Sequence, residues 1–463
     1  MQIRIANTRS KVIAGTPEEL EWLDEYLCFE DTSKYFRTSK WSKGNDPYLH
    51  LLDKRNNTFP SGLVGMARAA AKKDGVAVSV DDGRKCPVEF DFSADLDWLY
   101  EYQFDAVWEA VQKTAGILQL PTGAGKTEIM CGLGLALPCH WLFVVHRKDL
   151  VWNAAERWTK RTGWEAGIVG DGKFNPDPER RFTVATFKTL ADGLKKKDPR
   201  VLKLLADAEG LLVDECHVCP AKSFWKVCMA TRRSYFRLGF SGTPLERGDK
   251  RSVYAVASLG PLIYKIEEEF LIQLGVLARP HIRVVAFAQD CDAKTWMPAY
   301  DKLIVKSFPR NAVVVQMAMR AKKPALVFVR QVEHGEFLAK MLNKTGMRTE
   351  FVWGKKITAA RQAAVKRLRY GEIDCIVCSV VFQEGVDIPE LESVVNAAGM
   401  KTTIGALQRI GRGMRSDGGR KKTFEVWDVK DEGNGFMTRH SRNRLKAYRS
   451  RGHEIEVLQE EEL

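Results

Sequence analysis

The run Leu120-Pro121-Thr122-Gly123-Ala124-Gly125-Lys126-Thr127 spaces two glycines, a lysine and a threonine as a polyphosphate cradle requires. Gly123 and Gly125 permit a tight turn that points backbone N–H groups at a β-phosphate, and a helix starting at Lys126 adds partial positive charge there. Lys126 supplies a point charge for the β/γ oxygens, and the Thr127 hydroxyl is placed for Mg²⁺. Leu120 stands where the full pattern has its first glycine. A second run, Val213-Asp214-Glu215-Cys216-His217, offers two adjacent carboxylates. Asp214 suits a Mg²⁺ ion held through water, and Glu215 suits polarising an attacking water. An isolated Asp-Glu after a strand would be a helix cap, but the cradle upstream favours chemistry. A third run, Gln408-Arg409-Ile410-Gly411-Arg412-Gly413-Met414-Arg415, sets Arg412 and Arg415 on one helical face. Fixed guanidinium groups at a γ-phosphate raise hydrolysis rates by about 10³–10⁵. The alternative for this pair is a solvated basic face, or one that binds nucleic acid directly. Together the three runs predict hydrolysis of ATP·Mg²⁺.

With these runs in this order, the chain resembles the superfamily 2 helicases of the DExH branch, over residues 99–431. The resemblance implies two tandem RecA-like domains with the nucleotide between them. It assigns Tyr102 and Gln103 to adenine, since a Gln amide pairs with the N6/N7 edge. It adds Gly385, Asp387 and Gln408 to the nucleotide site. His146, Arg147 and Lys148 (in VHRKDL) and Thr186 and Lys188 (in ATFKTL) resemble segments that hold a strand backbone. Arg330, Ser379 and Gln383 join them as nucleic-acid contacts. His217, with Ser241 and Thr243 of Ser-Gly-Thr-Pro, resembles the elements linking hydrolysis to domain movement. The strings Cys28-Phe29-Glu30, Lys34-Tyr35-Phe36-Arg37, Leu51-Leu52-Asp53-Lys54-Arg55 and Pro60-Ser61-Gly62-Leu63-Val64-Gly65, within about residues 26–82, carry a narrower likeness to phage recombination helicases of the UvsW type, related to RecG and the XPB group. It implies work on DNA forks and recombination junctions, and a phage source.

Positioning these residues takes strands that end at the chemistry. Residues 114–120 read as an apolar strand before the cradle and 126–137 as the helix after it; 210–213 form a strand delivering Asp214 and Glu215. Open α/β sheets bind ligands at that carboxyl edge. Strands over 141–145, 182–186 and 235–241 complete a first parallel sheet alternating with helices. A second α/β unit has strands over 325–329, 374–378 and 393–397, with helices over 332–342 and 359–368. The expected fold class is therefore α/β, two tandem RecA-like parallel-sheet domains with a small α+β N-terminal domain. The boundaries are 1–88 for the small domain, 89–262 for the first helicase domain, 263–280 for a connector, 281–430 for the second domain and 431–463 for a basic tail. The small domain interleaves Tyr35, Phe36, Arg37, Lys40, Trp41, Lys43 and Tyr48, either a nucleic-acid reader or rings of a small core. In the tail, Arg439, Arg442, Arg444, Lys446, Arg449 and Arg451 suggest phosphate contacts or a solvated helix.

Composition agrees with a globular protein of several domains: 463 residues, 45% hydrophobic and 28% charged. Lys and Arg number 72 against 59 acidic residues, a net +13 that suits a polyanion and predicts salt-sensitive binding. Cys216/Cys219 and Cys375/Cys378 have zinc-like spacing, but Cys375 and Cys378 lie in a strand-like run where residues three apart point to opposite faces. Buried thiols in a reducing compartment are the expectation. Without an export signal or a long apolar run, the expected location is cytoplasmic, the host cytoplasm for a phage protein. DNA is the expected partner. An RNA helicase is the main alternative, because no run here reads a 2′-hydroxyl. An ATP-dependent clamp and the motor subunit of a nuclease assembly are further alternatives.

Overall fold

The computed structural model describes residues 1–30, 48–91, 93–176, 181–218, 222–242, 253–353, 358–379, 388, 390–400 and 421–463. The chain divides at Ile266 into two compact units.

The first unit begins with strands β1 (Gln2–Ile5) and β2 (Arg9–Ala14) and helix α1 (Pro17–Tyr26). Thr16 and Glu19 start α1 by a reciprocal capping box, with Pro17 in the first turn where no N–H is needed. A short ribbon, β3 (Cys28–Glu30) with β4 (Tyr48–His50), precedes β5 (Thr58–Pro60), helix α2 (Val64–Asp74) and β6 (Ser79–Asp82). These give a small mixed sheet in the order β5-β2-β1-β6. The aromatic and basic residues 35–43 lie outside the described residues.

Next come α3 (Glu101–Lys113), β7 (Ala115–Gln119), α4 (Lys126–Ala136), β8 (Trp141–Val145) and α5 (Lys148–Thr162). Strands β9 (Gly167–Gly170), β10 (Lys173–Asn175) and β11 (Phe182–Thr186) precede α6 (Phe187–Lys196), α7 (Pro199–Asp207) and β12 (Gly210–Asp214). Helix α8 (Lys222–Ala230), β13 (Phe236–Ser241), α9 (Val253–Leu259) and β14 (Leu262–Lys265) close the unit. Among the described residues the sheet order is β10-β9-β11-β8-β12-β13-β7-β14, parallel except at β10. Strand β13 thus lies between the cradle strand β7 and the acidic strand β12. Register pairs Ser241 with Gln119 and Asp214 with Phe240, so the three strands finish level. Strand β14 runs from the last residue of the expected first domain into the expected connector; its pairing with β7 makes it the sheet's edge.

The small N-terminal sheet shares its core with this unit. Ile3, Leu23, Phe59 and Leu63 pack with Val253 and Ala257 of α9. At Gly62 a Cβ would collide with the Val256 carbonyl, and the Asn7 amide donates to the carbonyls of Arg232 and Arg233.

The second unit contains α10 (Glu268–Gln273), β15 (Arg279–Gln289), α11 (Trp296–Tyr300), α12 (Phe308–Arg320), β16 (Ala325–Val329), α13 (Val332–Lys344) and β17 (Thr349–Val352). It continues with α14 (Thr358–Arg369), β18 (Cys375–Ser379), β19 (Ser393–Asn396), β20 (Thr423–Gly433), α15 (Gly435–Arg449) and β21 (Ile455–Leu458). The sheet order is β17-β18-β16-β19-β20-β15-β21, with every described pairing parallel. Its core is aliphatic, with Val285, Val314, Val327, Leu338 and Val377 among the fully buried side chains. Cys375 and Cys378 are buried in β18; Cys219 lies outside the described residues.

The basic tail is corrected by this sheet. Strand β21 pairs with β15, and α15 packs on β20. Arg444 is 1% exposed: its Nε donates to Asp428 at 2.9 Å and its Nη2 to the Val429 carbonyl at 2.7 Å. Only the outer face, with Arg439, Arg442, Lys446 and Arg449, is exposed. Beside it, Arg310 holds Asp431 through two hydrogen bonds of 2.5 and 3.2 Å, with both side chains buried. Arg310 and Arg444 also donate to the carbonyls of Ala397 and Met400, and the Tyr300 hydroxyl donates to that of Ala398.

Candidate active site

The sequence builds the cradle where β7 hands over to α4. Gly123 and Gly125 have φ of +93° and +78°, the left-handed region that an L side chain enters at about 1–2 kcal/mol. Room is equally tight, because a Cβ on Gly125 would collide with the Gln103 amide. Gly125→Ala should therefore weaken ATP binding about tenfold or more, checked by fluorescent-nucleotide titration with thermal unfolding as the folding control. Pro121 and Ala124 are buried, while Thr122, Lys126 and Thr127 keep partial exposure.

Strand β12 ends on Asp214, and the backbone then turns sharply at Glu215, whose φ is +49°. This non-glycine residue in the left-handed region holds its strain at a carboxylate. Glu215 Oε1 lies 3.5 Å from Lys126 Nζ. Its Oε2 lies 3.1 Å from His217 Nδ1 and 3.5 Å from Ser241 Oγ, which accepts or donates at 3.0 Å to the same His217 nitrogen. Lys126, Glu215, His217 and Ser241 thus form one constellation. The level strand ends explain it, since β13 brings Ser241 between the other two.

The two carboxylates are pushed apart electrostatically. Burial and then the Glu215 charge raise the Asp214 carboxyl to about 6. Burial also pushes Glu215 up, but the Lys126 ammonium and the His217 contact outweigh it and hold Glu215 well below the usual carboxylate range. His146, expected among the nucleic-acid contacts, also lies near enough to Asp214 and Glu215 to favour their ionised forms. Thr127 and Asp214 present a hydroxyl and a carboxylate, the hard oxygen donors Mg²⁺ prefers, and a cation would relieve the desolvation of Asp214. The residues present fit that ion.

Other expected contacts divide. Lys188 and Arg330 are exposed, the latter with its guanidinium 5.4 Å from the Tyr300 ring centroid. Arg147 stands at the N-cap position of α5, and Lys148 is paired with Asp171 at 2.8 Å. Thr186 is corrected: it is 3% exposed and its hydroxyl caps α6 by accepting from Thr189 N, so it is a structural group. Ser379 Oγ is buried without a hydrogen-bond partner among the described residues. Tyr102 is likewise 3% exposed, because buried positions of α3 recur at 102, 103, 106, 107 and 110. The open ring of this segment is Tyr100, 59% exposed and stacked on Tyr102 at 5.8 Å. Gln103 Oε1 accepts from Tyr100 N at 3.1 Å, and its amide nitrogen, beside Gly125, donates to the Tyr102 hydroxyl at 3.3 Å. The helical period of α3 is the signal that marks Tyr102 for the core; Tyr100 precedes the helix as its extended N-cap residue. Thr243, Gln383, Gly385, Asp387, Gln408, Arg412 and Arg415 lie outside the described residues.

Residues 97–246 match the family described as type III restriction enzyme, res subunit, and residues 309–417 match the helicase conserved C-terminal domain. The chain is similar to the ATP-dependent DNA helicase uvsW of Enterobacteria phage T4, 26% identical over 434 residues, covering 86% of this chain and 83% of that protein. It is similar to the DNA 3′-5′ translocase XPB2 of Sulfurisphaera tokodaii, 26% identical over 385 residues, covering 73% and 83%. In fold it is similar to the ATP-dependent type ISP restriction-modification enzyme LlaBIII bound to DNA. That likeness has a TM-score of 0.59 at 14% identity, covering 85% of this chain and 34% of that one.

Proposed function

Because this chain belongs to the superfamily 2 helicases and is an ATP hydrolase, we propose that it is a DNA motor that unwinds or branch-migrates forks and recombination intermediates. The single observation that carries the hydrolytic reading is the Lys126–Glu215–His217–Ser241 constellation at the level strand ends. The choice of DNA is supported by the uvsW and XPB2 relatives, which are named for it, and the net charge of +13 suits a phosphate backbone.

In this reading the cradle N–H groups and Lys126 hold the β- and γ-phosphates. Glu215, kept ionised, orients the attacking water and accepts its proton. Thr127 and Asp214 would hold Mg²⁺, which when bound would supply charge neutralisation at the phosphate oxygens. His217 bridges Glu215 and Ser241, so a change at the carboxylate reaches the end of β13 directly. Arg412 and Arg415 are the proposed γ-phosphate arginines, with Gly385, Asp387 and Gln408 beside the nucleotide. Lys188, Arg330, Ser379 and Gln383 are the proposed strand contacts.

ATP hydrolysis at fixed salt, with single-stranded DNA, duplex, fork, four-way junction or structured RNA, tests the reading, with Lys126→Ala as the blank. Greatest stimulation by fork or junction is expected. Greatest stimulation by RNA would overturn the substrate, and no turnover on any polymer would overturn the motor.

A further inference from the structure

The β3–β4 ribbon holds a Cys–His–Asp arrangement that ATP hydrolysis does not use. Cys28 and His50 are direct cross-strand partners. Cys28 Sγ lies 3.8 Å from His50 Nε2, and His50 Nδ1 lies 3.0 Å from each carboxylate oxygen of Asp24 on α1. Asp24 is 6% exposed and also takes the Lys54 ammonium at 2.9 Å, which Glu21 shares at 2.7 Å. Glu30 and Tyr48, the register pair two positions along, lie on the same face of the ribbon as Cys28 and His50. Cys28 is half-buried and the His50 side chain is 43% exposed.

The geometry fixes the imidazole. Burial pushes the Asp24 carboxyl up, but hydrogen bonds from Lys54 and His50 outweigh it and hold Asp24 below its ordinary range. An ionised carboxylate against Nδ1 requires the proton on that nitrogen, which turns the Nε2 lone pair toward the thiol. A neighbouring imidazole in this orientation takes the thiol proton, and the thiolate is the reactive form.

We propose that Cys28 is a nucleophilic thiol activated by His50 and oriented by Asp24, and that it is a modification site for hydroperoxides. The S–H proton passes to Nε2, and the thiolate attacks one peroxide oxygen. The O–O bond breaks, sulfur is oxidised to the sulfenic acid, and the departing alkoxide or hydroxide takes the proton from the imidazolium. The thiol and hydroperoxide become sulfenic acid and an alcohol or water, with no further reactant.

Cys86 is a reference within the same chain: it is exposed, and its partner is the Val88 carbonyl at 3.0 Å rather than an imidazole. Limiting iodoacetamide on the full-length chain, read residue by residue by mass spectrometry, gives both rates. At about pH 6.5, two units below an ordinary thiol, Cys28 should react about tenfold faster than Cys86. The gap should narrow at about pH 8.5, where ordinary thiols ionise. His50→Gln should bring Cys28 to the Cys86 rate, and Asp24→Asn should leave it between. Hydrogen peroxide followed by dimedone should label Cys28, with Cys28→Ser as the blank. Equal rates in the parent chain, or an advantage surviving His50→Gln, would overturn the activated thiol. Fast alkylation without a dimedone adduct would overturn the hydroperoxide assignment. Retained ATP hydrolysis reports that each variant is folded, and His50→Asn replaces His50→Gln if the latter is not.

Discussion

Glu215→Gln should lower polymer-stimulated turnover by about 10²–10⁴ while ATP still binds. The amide has the shape of the carboxylate but cannot accept the water's proton. The native group is suited to that task because Lys126 and His217 keep it ionised despite its burial. The substitution also removes the negative partner 3.5 Å from Lys126, leaving the ammonium wholly to the nucleotide. ATP affinity should therefore hold or rise as turnover falls. Steady-state hydrolysis beside fluorescent-nucleotide titration separates the two quantities. Parental turnover in the Gln variant would remove Glu215 from the role of base. Lys126→Ala differs by losing affinity and turnover together.

The second large effect concerns the buried ion pairs of the second unit. Asp431→Ala leaves the Arg310 guanidinium buried and charged with only its bond to the Ala397 carbonyl, a defect that costs about 3–5 kcal/mol. For a unit of this size, that lowers the midpoint of its thermal transition by about 6–20 °C. Replacing both partners, as Arg310→Met with Asp431→Leu, removes the uncompensated charge and should recover most of the loss. Calorimetry on the two variants decides the point; equal midpoints would mean that the single substitution acts through packing alone.

Much of the site was readable because local chemistry and strand order are short-range matters. The cradle strand, the helix at Lys126 and the strand ending at Asp214 need only apolar runs beside glycines and carboxylates. What the sequence could not show was spatial neighbourhood. Ser241 meets His217 because β13 inserts between β7 and β12, and strand order is not written in any window of residues. Arg444 reads as one cation in a basic helix until Asp428, sixteen residues earlier, is folded beneath it. Tyr102 lies on the buried face of α3, whereas Tyr100 precedes the helix as its extended N-cap residue and stays open. The β21 strand is only four residues, Ile455–Leu458, so its pairing with β15 depends on tertiary context.

The shared core beneath Gly62 has a consequence for how the N-terminal region can be studied. Because α9 lends Val253 and Ala257 to that core, the first eighty-odd residues are no detachable cassette. A truncation there would leave an oily scar on the flank of the motor, and lost fork affinity in such a protein would report stickiness before it reported recognition. Surface charge reversals on the outer face are the cleaner question. The same contact ties the two parts in inheritance: a larger residue at position 62 needs the backbone at Val256 to retreat, so neither side drifts alone.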